Sequence, residues 1–301
     1  TSRYLKKLPD REPVKYNYAI CQHCGRYRSS IAELDDDLNI CSCGEKVGSN
    51  KGVFLTPEFG FIAGPPRQPG MTKPQKTYST RKYFSHAGSV ENELELELGG
   101  VKTRLLTGSD GKLAVINNAG VKGFRVCGFC GFAEIYSGAP PKTHKNIWGK
   151  ECKGRFYRYS LGYEFKTDIL QIWFPDYYRR EEGFWESLLY GILEGVCGAL
   201  DIERQDIDGT LFPYNGNRHS PALVLFDDVP GGAGHVKRIA EEGNIMAALQ
   251  KTFEITRRCE CGGKQRDSSC YSCLRSYSNQ YCHDILNRGF VMDLVGKLLS
   301  K

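Results

Sequence analysis

The stretch "CECGGKQRDSSCYSC" (259–273) spaces its four cysteines as C-x1-C-x8-C-x2-C, with Gly262 and Gly263 beside the first pair. Paired glycines permit the tight turns that aim several sulfurs at one point, as a thiolate metal site requires. Cysteines one or two residues apart are poorly placed to bond to each other and well placed to share an ion. The spacing predicts a zinc clasp on Cys259, Cys261, Cys270 and Cys273.

Two further clusters lie upstream. Cys21-x2-Cys24-x16-Cys41-x1-Cys43 carries a glycine after each pair, Gly25 and Gly44. Two such knuckles a ribbon's length apart predict a zinc ribbon. Cys127-x2-Cys130-x13-His144-x7-Cys152 supplies three thiols and one histidine. His144 is the candidate fourth ligand, with water or another residue as the alternative. The expected cofactor is Zn2+, up to three ions. Cys197 falls on an apolar helix face and reads as a core thiol. Cys282 and His283 follow the last cluster closely enough to be substitute ligands.

Thirteen cysteines is an odd number, in a 301-residue chain too large to need disulfide staples. A reducing, cytosolic setting fits better than a secreted scaffold. Apolar content of 40% supports a real core, and no apolar run approaches the roughly 18–20 residues of a membrane span. The opening "TSRYLKKLPDREP" reads like the interior of a longer chain, so a fragment is expected. The formal net charge is +6. Eleven thiolates on three Zn2+ ions would leave about +1, so any nucleic-acid partner must be read from local patches.

Between the first two clusters the signals are β. "ELELEL" (93–98) alternates strictly, "KLAVI" (112–116) is its expected partner, and "TGSDG" (107–111) is the expected turn. Later, "TDILQIWF" (167–174) and "PALVLFDD" (221–228) read as buried strands. "FWESLLYGILEGVCGAL" (184–200) repeats apolar residues at period 3.6 around a wide face, which predicts a mostly buried helix. A helix is expected after "VPGGAG" through about 250, and an amphipathic one over "RGFVMDLVGKLL" (288–299). The fold class is α+β: a zinc ribbon over 1–52, a β-rich region with the second zinc site over 53–160, then an α/β layered zinc-binding domain over 161–301.

Catalytic signals are weak, and no residue is assigned a catalytic role. The turn in "LFDDVPGGAGHVKRI" (225–239) is either a phosphate cradle or a structural turn, and Asp227 and Asp228 beside it would repel a bare phosphate. His235-x-Lys237 with Glu242 resembles half of a phospholipase-D-type motif, but such sites need two copies. Glu164-x-Lys166 with Asp168 resembles part of a metal-dependent nuclease without the upstream Pro-Asp pair. No GxxxxGK[ST] or DExH box occurs, so ATP hydrolysis is not expected of this chain.

Basic segments are more informative. Residues 65–83 carry Arg67, Lys73, Lys76, Arg81 and Lys82 with no acid, and Tyr78 and Tyr83 offer rings. Residues 142–158 carry Lys142, Lys145, Lys150, Lys153, Arg155 and Arg158 against Glu151 alone, interleaved with Trp148, Phe156 and Tyr157. Cations neutralise phosphate while rings stack on bases, so both segments are candidate nucleic-acid contacts, against the alternative of solvated loops around a zinc site.

"FLTPEFGFIAGPPRQPG…TYSTRKYF" (54–84), "LGYEFKTDILQI" (161–172), "ALVLFDDVPGGAGHV" (222–236) and C-x-C-x8-C-x2-CLRSYSNQ (259–280) occur in that order, and the resemblance they carry runs over nearly the whole chain. Together they resemble the C-terminal region of DEAD/DEAH-box helicases with the MrfA-like zinc-binding domain, including phage-defence relatives of the DISARM and Druantia type. The resemblance implies a zinc site on Cys259, Cys261, Cys270 and Cys273, DNA as a partner, and a helicase motor on the same chain or in a separate subunit. It implies an accessory role in DNA repair or phage defence. A nuclease, or a protein-interaction scaffold without nucleic-acid contact, is the alternative.

Overall fold

The structure is a computed structural model and describes residues 3–7, 12–31, 38–63, 79–119, 122–136 and 138–300. Strands β1 (Arg3–Leu5), β2 (Lys15–Ile20), β3 (Tyr27–Ile31), β4 (Lys51–Leu55), β5 (Phe61–Ala63), β6 (Thr80–His86) and β7 (Asn92–Leu98) lead to the long β8 (Val101–Asn117). Then come β9 (Phe124–Cys127), β10 (Phe132–Ile135), the short pair β11 (His144–Lys145) and β12 (Glu151–Cys152), and the long β13 (Phe156–Trp173). Helix α1 (Phe184–Leu200), strands β14 (Ile207–Phe212) and β15 (Ala222–Asp227), and helices α2 (His235–Ile239), α3 (Glu242–Arg258) and α4 (Arg288–Leu298) complete the order.

β8 and β13 form the spine. They pair antiparallel from Leu161↔Asn117 to Trp173↔Arg104, with a bulge between Thr167 and Ile169. The outer edge of β8 takes β6 and then β7. The other edge of β13 takes β9, β4 and β15 in turn. Through β4 the ribbon strands β2 and β3 join, and through β9 come β10, β1 and β5. The boundaries expected at 52/53 and 160/161 fall inside β4 and β13, so one sheet runs across all three segments.

One expected hairpin is differently built. β7 pairs with residues 101–107 of β8, and "KLAVI" pairs with β6 and β13 instead. The turn is Gly99-Gly100, both at positive φ (54° and 72°), a backbone that suits a two-residue hairpin and that glycine adopts freely. "TGSDG" runs on as strand. Its Gly111 is there for room, because a Cβ would stand 2.2 Å from Cγ2 of Ile169 on β13.

The main core is where helices cover one face of the sheet. Leu170, Ile172, Leu223 and Leu225 pack against Leu188, Ile192, Leu193 and Val196 of α1, with α3 and α4 behind. α1 spans the expected residues 184–200, and its apolar face is buried as its periodicity requires. Gly195 lets α1 and α3 cross closely, since a Cβ would sit 1.9 Å from the Thr252 hydroxyl. The helix expected after "VPGGAG" breaks between α2 and α3 at Ala240-Glu241. Helices layered on a mainly antiparallel sheet make the architecture α+β, as read from the sequence.

Three candidate metal centres and a basic, aromatic surface

Each cysteine cluster brings four donor atoms within 4.8 Å of one another. Zn–S bonds of about 2.3 Å at the tetrahedral angle put sulfurs about 3.8 Å apart, whereas a disulfide needs about 2.05 Å. All thirteen cysteines are unpaired. The geometry fits the metal.

In the first centre, Sγ of Cys21 lies 3.7 Å from Cys43 and Sγ of Cys24 lies 3.6 Å from Cys41. The Gly25 and Gly44 amides donate to the Cys21 and Cys41 carbonyls, closing both knuckles. The second centre holds Cys127 and Cys152 at 3.9 Å, with Nε2 of His144 at 3.1 Å from Sγ of Cys130. His144 packs against Phe132 and Phe156, at 5.2 and 4.7 Å between ring centroids. Burial lowers its pKa and favours the neutral ring that a metal ion takes. Pairing of His144 with Cys152 in the β11–β12 ladder puts these two ligands side by side.

The third centre has sulfur separations of 3.3 Å (Cys259–Cys261), 3.4 Å (Cys259–Cys270), 3.7 Å (Cys261–Cys273) and 3.9 Å (Cys270–Cys273). Burial raises the Cys270 thiol, but hydrogen bonds from the Ser272 amide and neighbouring thiols outweigh it and bring the group to about 7. Burial pushes Cys273 well up. Three of these thiols are half-buried and Cys273 is buried, and four thiolates gathered this closely are the donor set that a zinc ion takes. The expected substitute ligands lie elsewhere: Cys282 donates to the Asn279 carbonyl, and Nε2 of His283 sits 2.8 Å from the Asn279 amide oxygen. Cys197 is half-buried beside the main core, and burial lifts it to about 11.

The "DDVPGGAG" turn is filled by the protein's own carboxylates. Asp227, fully buried, accepts from the amides of Ala233 (2.6 Å), His235 (3.2 Å) and Val236 (3.0 Å). Asp168 accepts from Gly234 and pairs with Lys237 at 3.0 Å. Lys237 also meets Glu91 at 3.0 Å. Glu164 accepts from the Tyr27 hydroxyl and pairs with Lys112 at 2.7 Å. Of the groups that resembled nuclease fragments, Glu164, Asp168 and Lys237 are committed to holding strands and turn together.

The basic segments separate on inspection. Arg67, Lys73, Lys76 and Tyr78 lie outside the described residues. Lys82 was expected to face nucleic acid, but its ammonium is held between Asp228 (2.6 Å) and Asp208 (2.9 Å), with little exposure. Tyr83 is likewise spent, stacked on Tyr27 at 5.4 Å. Arg81 is exposed and lies 4.7 Å over the Tyr281 ring, at the edge of a cleft of about 620 Å³ between the first knuckle and the start of α1.

The second segment is open. Lys142, Lys145, Lys150, Lys153, Arg155 and Arg158 are all exposed. Arg158 donates to the Lys122 carbonyl and covers Tyr136. Among the described residues, Lys145, Lys150, Lys153 and Arg155 form no ion pair. Phe156 packs inward on His144 and Phe132. Trp148 is 81% exposed and Tyr157 44%, and sequence reasoning missed Phe129, also 81% exposed, at the tip of the Cys127–Cys130 knuckle. Its position between two ligands was the available signal.

Residues 188–274 match the family model described as the MrfA Zn-binding domain. The third centre is inside that match. The chain is 31% identical over 250 residues to the Druantia protein DruE of Escherichia coli (strain UMEA 4076-1), across 70% of this chain and 13% of DruE. A crystal structure of DUF1998 helicase MrfA bound to DNA is similar at 14% identity and TM-score 0.42, over 75% of this chain and 26% of that one. The same helicase bound to DNA and AMPPNP gives 13% identity and TM-score 0.30, over 74% and 23%. The chain spans only a small part of these relatives. No described helix is long and apolar enough to cross a membrane.

Proposed function

We propose that this chain, which carries an MrfA-like zinc-binding domain and is a homologue of DruE, is a zinc-built accessory region that contacts DNA for a DEAD/DEAH-box helicase. The motor is on the same chain or in a partner subunit, and the setting is cytoplasmic DNA repair or phage defence. The region is not catalytic by itself.

The observation that carries the DNA contact is the outer face of the second metal centre. There Lys145, Lys150, Lys153 and Arg155 stand exposed without ion pairs, beside Trp148 and Tyr157. Unpaired cations with open rings are the chemistry that phosphates and bases require. All four donors in each centre come from the protein, so zinc there has no open position and serves to fix turns. Engagement of Asp168, Asp227 and Lys237 in the turn supports an accessory rather than a nucleolytic role.

The test combines binding and cleavage. A labelled oligonucleotide should bind the chain, while plasmid incubated with Mg2+ or Mn2+ should stay intact. Metal-dependent cleavage lost in His235→Ala or Asp168→Asn would replace this reading with the nuclease one. Absence of binding would leave a protein-interaction scaffold.

A further inference from the structure

Between β9 and the start of β13 runs a groove of about 420 Å³ on the outer side of the second metal centre. Phe129, Tyr157 and Tyr159 line it, with Lys7, Lys15 and Arg155 along its margins. We infer that this groove is a sequence-tolerant stacking site for single-stranded nucleic acid, in which the three rings take bases and the three cations take phosphates. The inference rests on the DNA-contact reading above and narrows it to unpaired strands.

Four observations carry it. Phe129 leaves a large apolar ring 81% in water, on a knuckle whose ends, Cys127 and Cys130, are both metal donors. An exposed ring on a rigid mount is a poor solution for stability and a good one for binding. Tyr157 and Tyr159 present nearly parallel faces, 24° apart with centroids at 6.3 Å, and the Arg155 guanidinium lies 5.5 Å from the Tyr157 ring.

Small residues create the platform. A Cβ on Gly128 would stand 2.7 Å from Cε2 of Tyr157, and one on Gly154 would stand 2.8 Å from Cβ of Phe129. The Tyr157 ring therefore lies against the knuckle before a ligand arrives, while the Phe129 ring stands out into solvent beside it. The charge is of the right sign: among the described residues Arg155 forms no ion pair, and Lys7 and Lys15 share the single well-exposed Glu12 at 3.9 and 3.7 Å, with Lys7 also donating to the Gly128 carbonyl at 2.6 Å. A duplex hides its base faces inside the stack, so a row of rings recognises single strands.

The experiment measures binding of a labelled oligo-dT strand and of a blunt duplex to the 301-residue chain and to Phe129→Ala, Tyr157→Ala and Phe129→Trp. Phe129→Ala should weaken oligo-dT binding about 5- to 150-fold, the equivalent of about 1–3 kcal/mol for one stacked base. Duplex binding should stay within about twofold, since phosphate contacts are untouched. Phe129→Trp should restore oligo-dT affinity, and zinc content should be unchanged in every variant. If the wild-type chain binds DNA but Phe129→Ala and Tyr157→Ala bind oligo-dT as tightly, the groove assignment falls and the DNA-contact reading stands. If the wild type binds neither probe, both fall.

Discussion

Nε of Arg288 donates to the carbonyl oxygen of Cys261 at 2.6 Å, joining the first turn of α4 to the third metal centre. The same guanidinium reaches the carbonyls of Thr256 at the end of α3 and Gly263 in the loop, both at 3.2 Å. Arg288 is only 4% exposed. One buried fork thus satisfies carbonyls from α3 and the zinc loop. The clasp ties the end of the domain to its last helix.

Arg288→Ala should therefore destabilise the chain by about 3 kcal/mol, because it strands the buried Thr256 carbonyl and removes the charged donor shared by the Cys261 and Gly263 carbonyls. Arg288→Lys should recover only part of that, since an ammonium lacks the planar fork. Urea denaturation checks both, and a variant within about 0.5 kcal/mol of wild type would contradict the account.

Freshly purified protein should carry three equivalents of zinc by elemental analysis, following the three donor sets. Cys270→Ser should lose one equivalent and lower the melting temperature. Cys282→Ser should keep all three, because that buried thiol bonds to Asn279 and ligates nothing.

Asp227 takes the place of an anion in its turn. Asp227→Ala leaves the amides of Ala233, His235 and Val236 without their acceptor, an expected loss of about 3 kcal/mol. Inorganic phosphate should not protect the wild-type protein against thermal unfolding. Protection of the wild-type protein by millimolar phosphate would mean that the turn binds anions despite the Asp227 carboxylate.

Hydrogen bonds from Arg179 hold the Glu181 carboxyl down to about 2. The folded-state pKa is depressed, so the contribution of this clamp is present above pH 4.5 and is lost as pH falls through 2. Exposure to solvent keeps it small. NMR titration of the Glu181 side chain should show the low midpoint, and Arg179→Ala should return it towards 4.5.

The metal centres were legible because ligand spacing is a local property: knuckle pairs and their glycines are contiguous in sequence. α1 was legible for the same reason, with Phe184 to Leu200 repeating at one period. The spine was not. Gly108 and Gly111 look like turn residues, and only their approach to Ser89 in the β6–β7 connection and Ile169 on β13 explains them within β8. Lys82 could not be told from Lys150 by composition, since its partners Asp208 and Asp228 are more than a hundred residues away in sequence. Phe129 was passed over because burial is the ordinary fate of phenylalanine, and its exposure is a tertiary fact.

If the exposed cations of the second metal centre bind a phosphate backbone, DNA affinity must depend steeply on salt. With about four phosphate contacts to a single strand, log affinity should fall against log salt with a slope near −3, and Lys150→Glu/Lys153→Glu should reduce the slope by about 1.4. No measurable binding at about 20 mM salt, or an unchanged slope in the double variant, would contradict it.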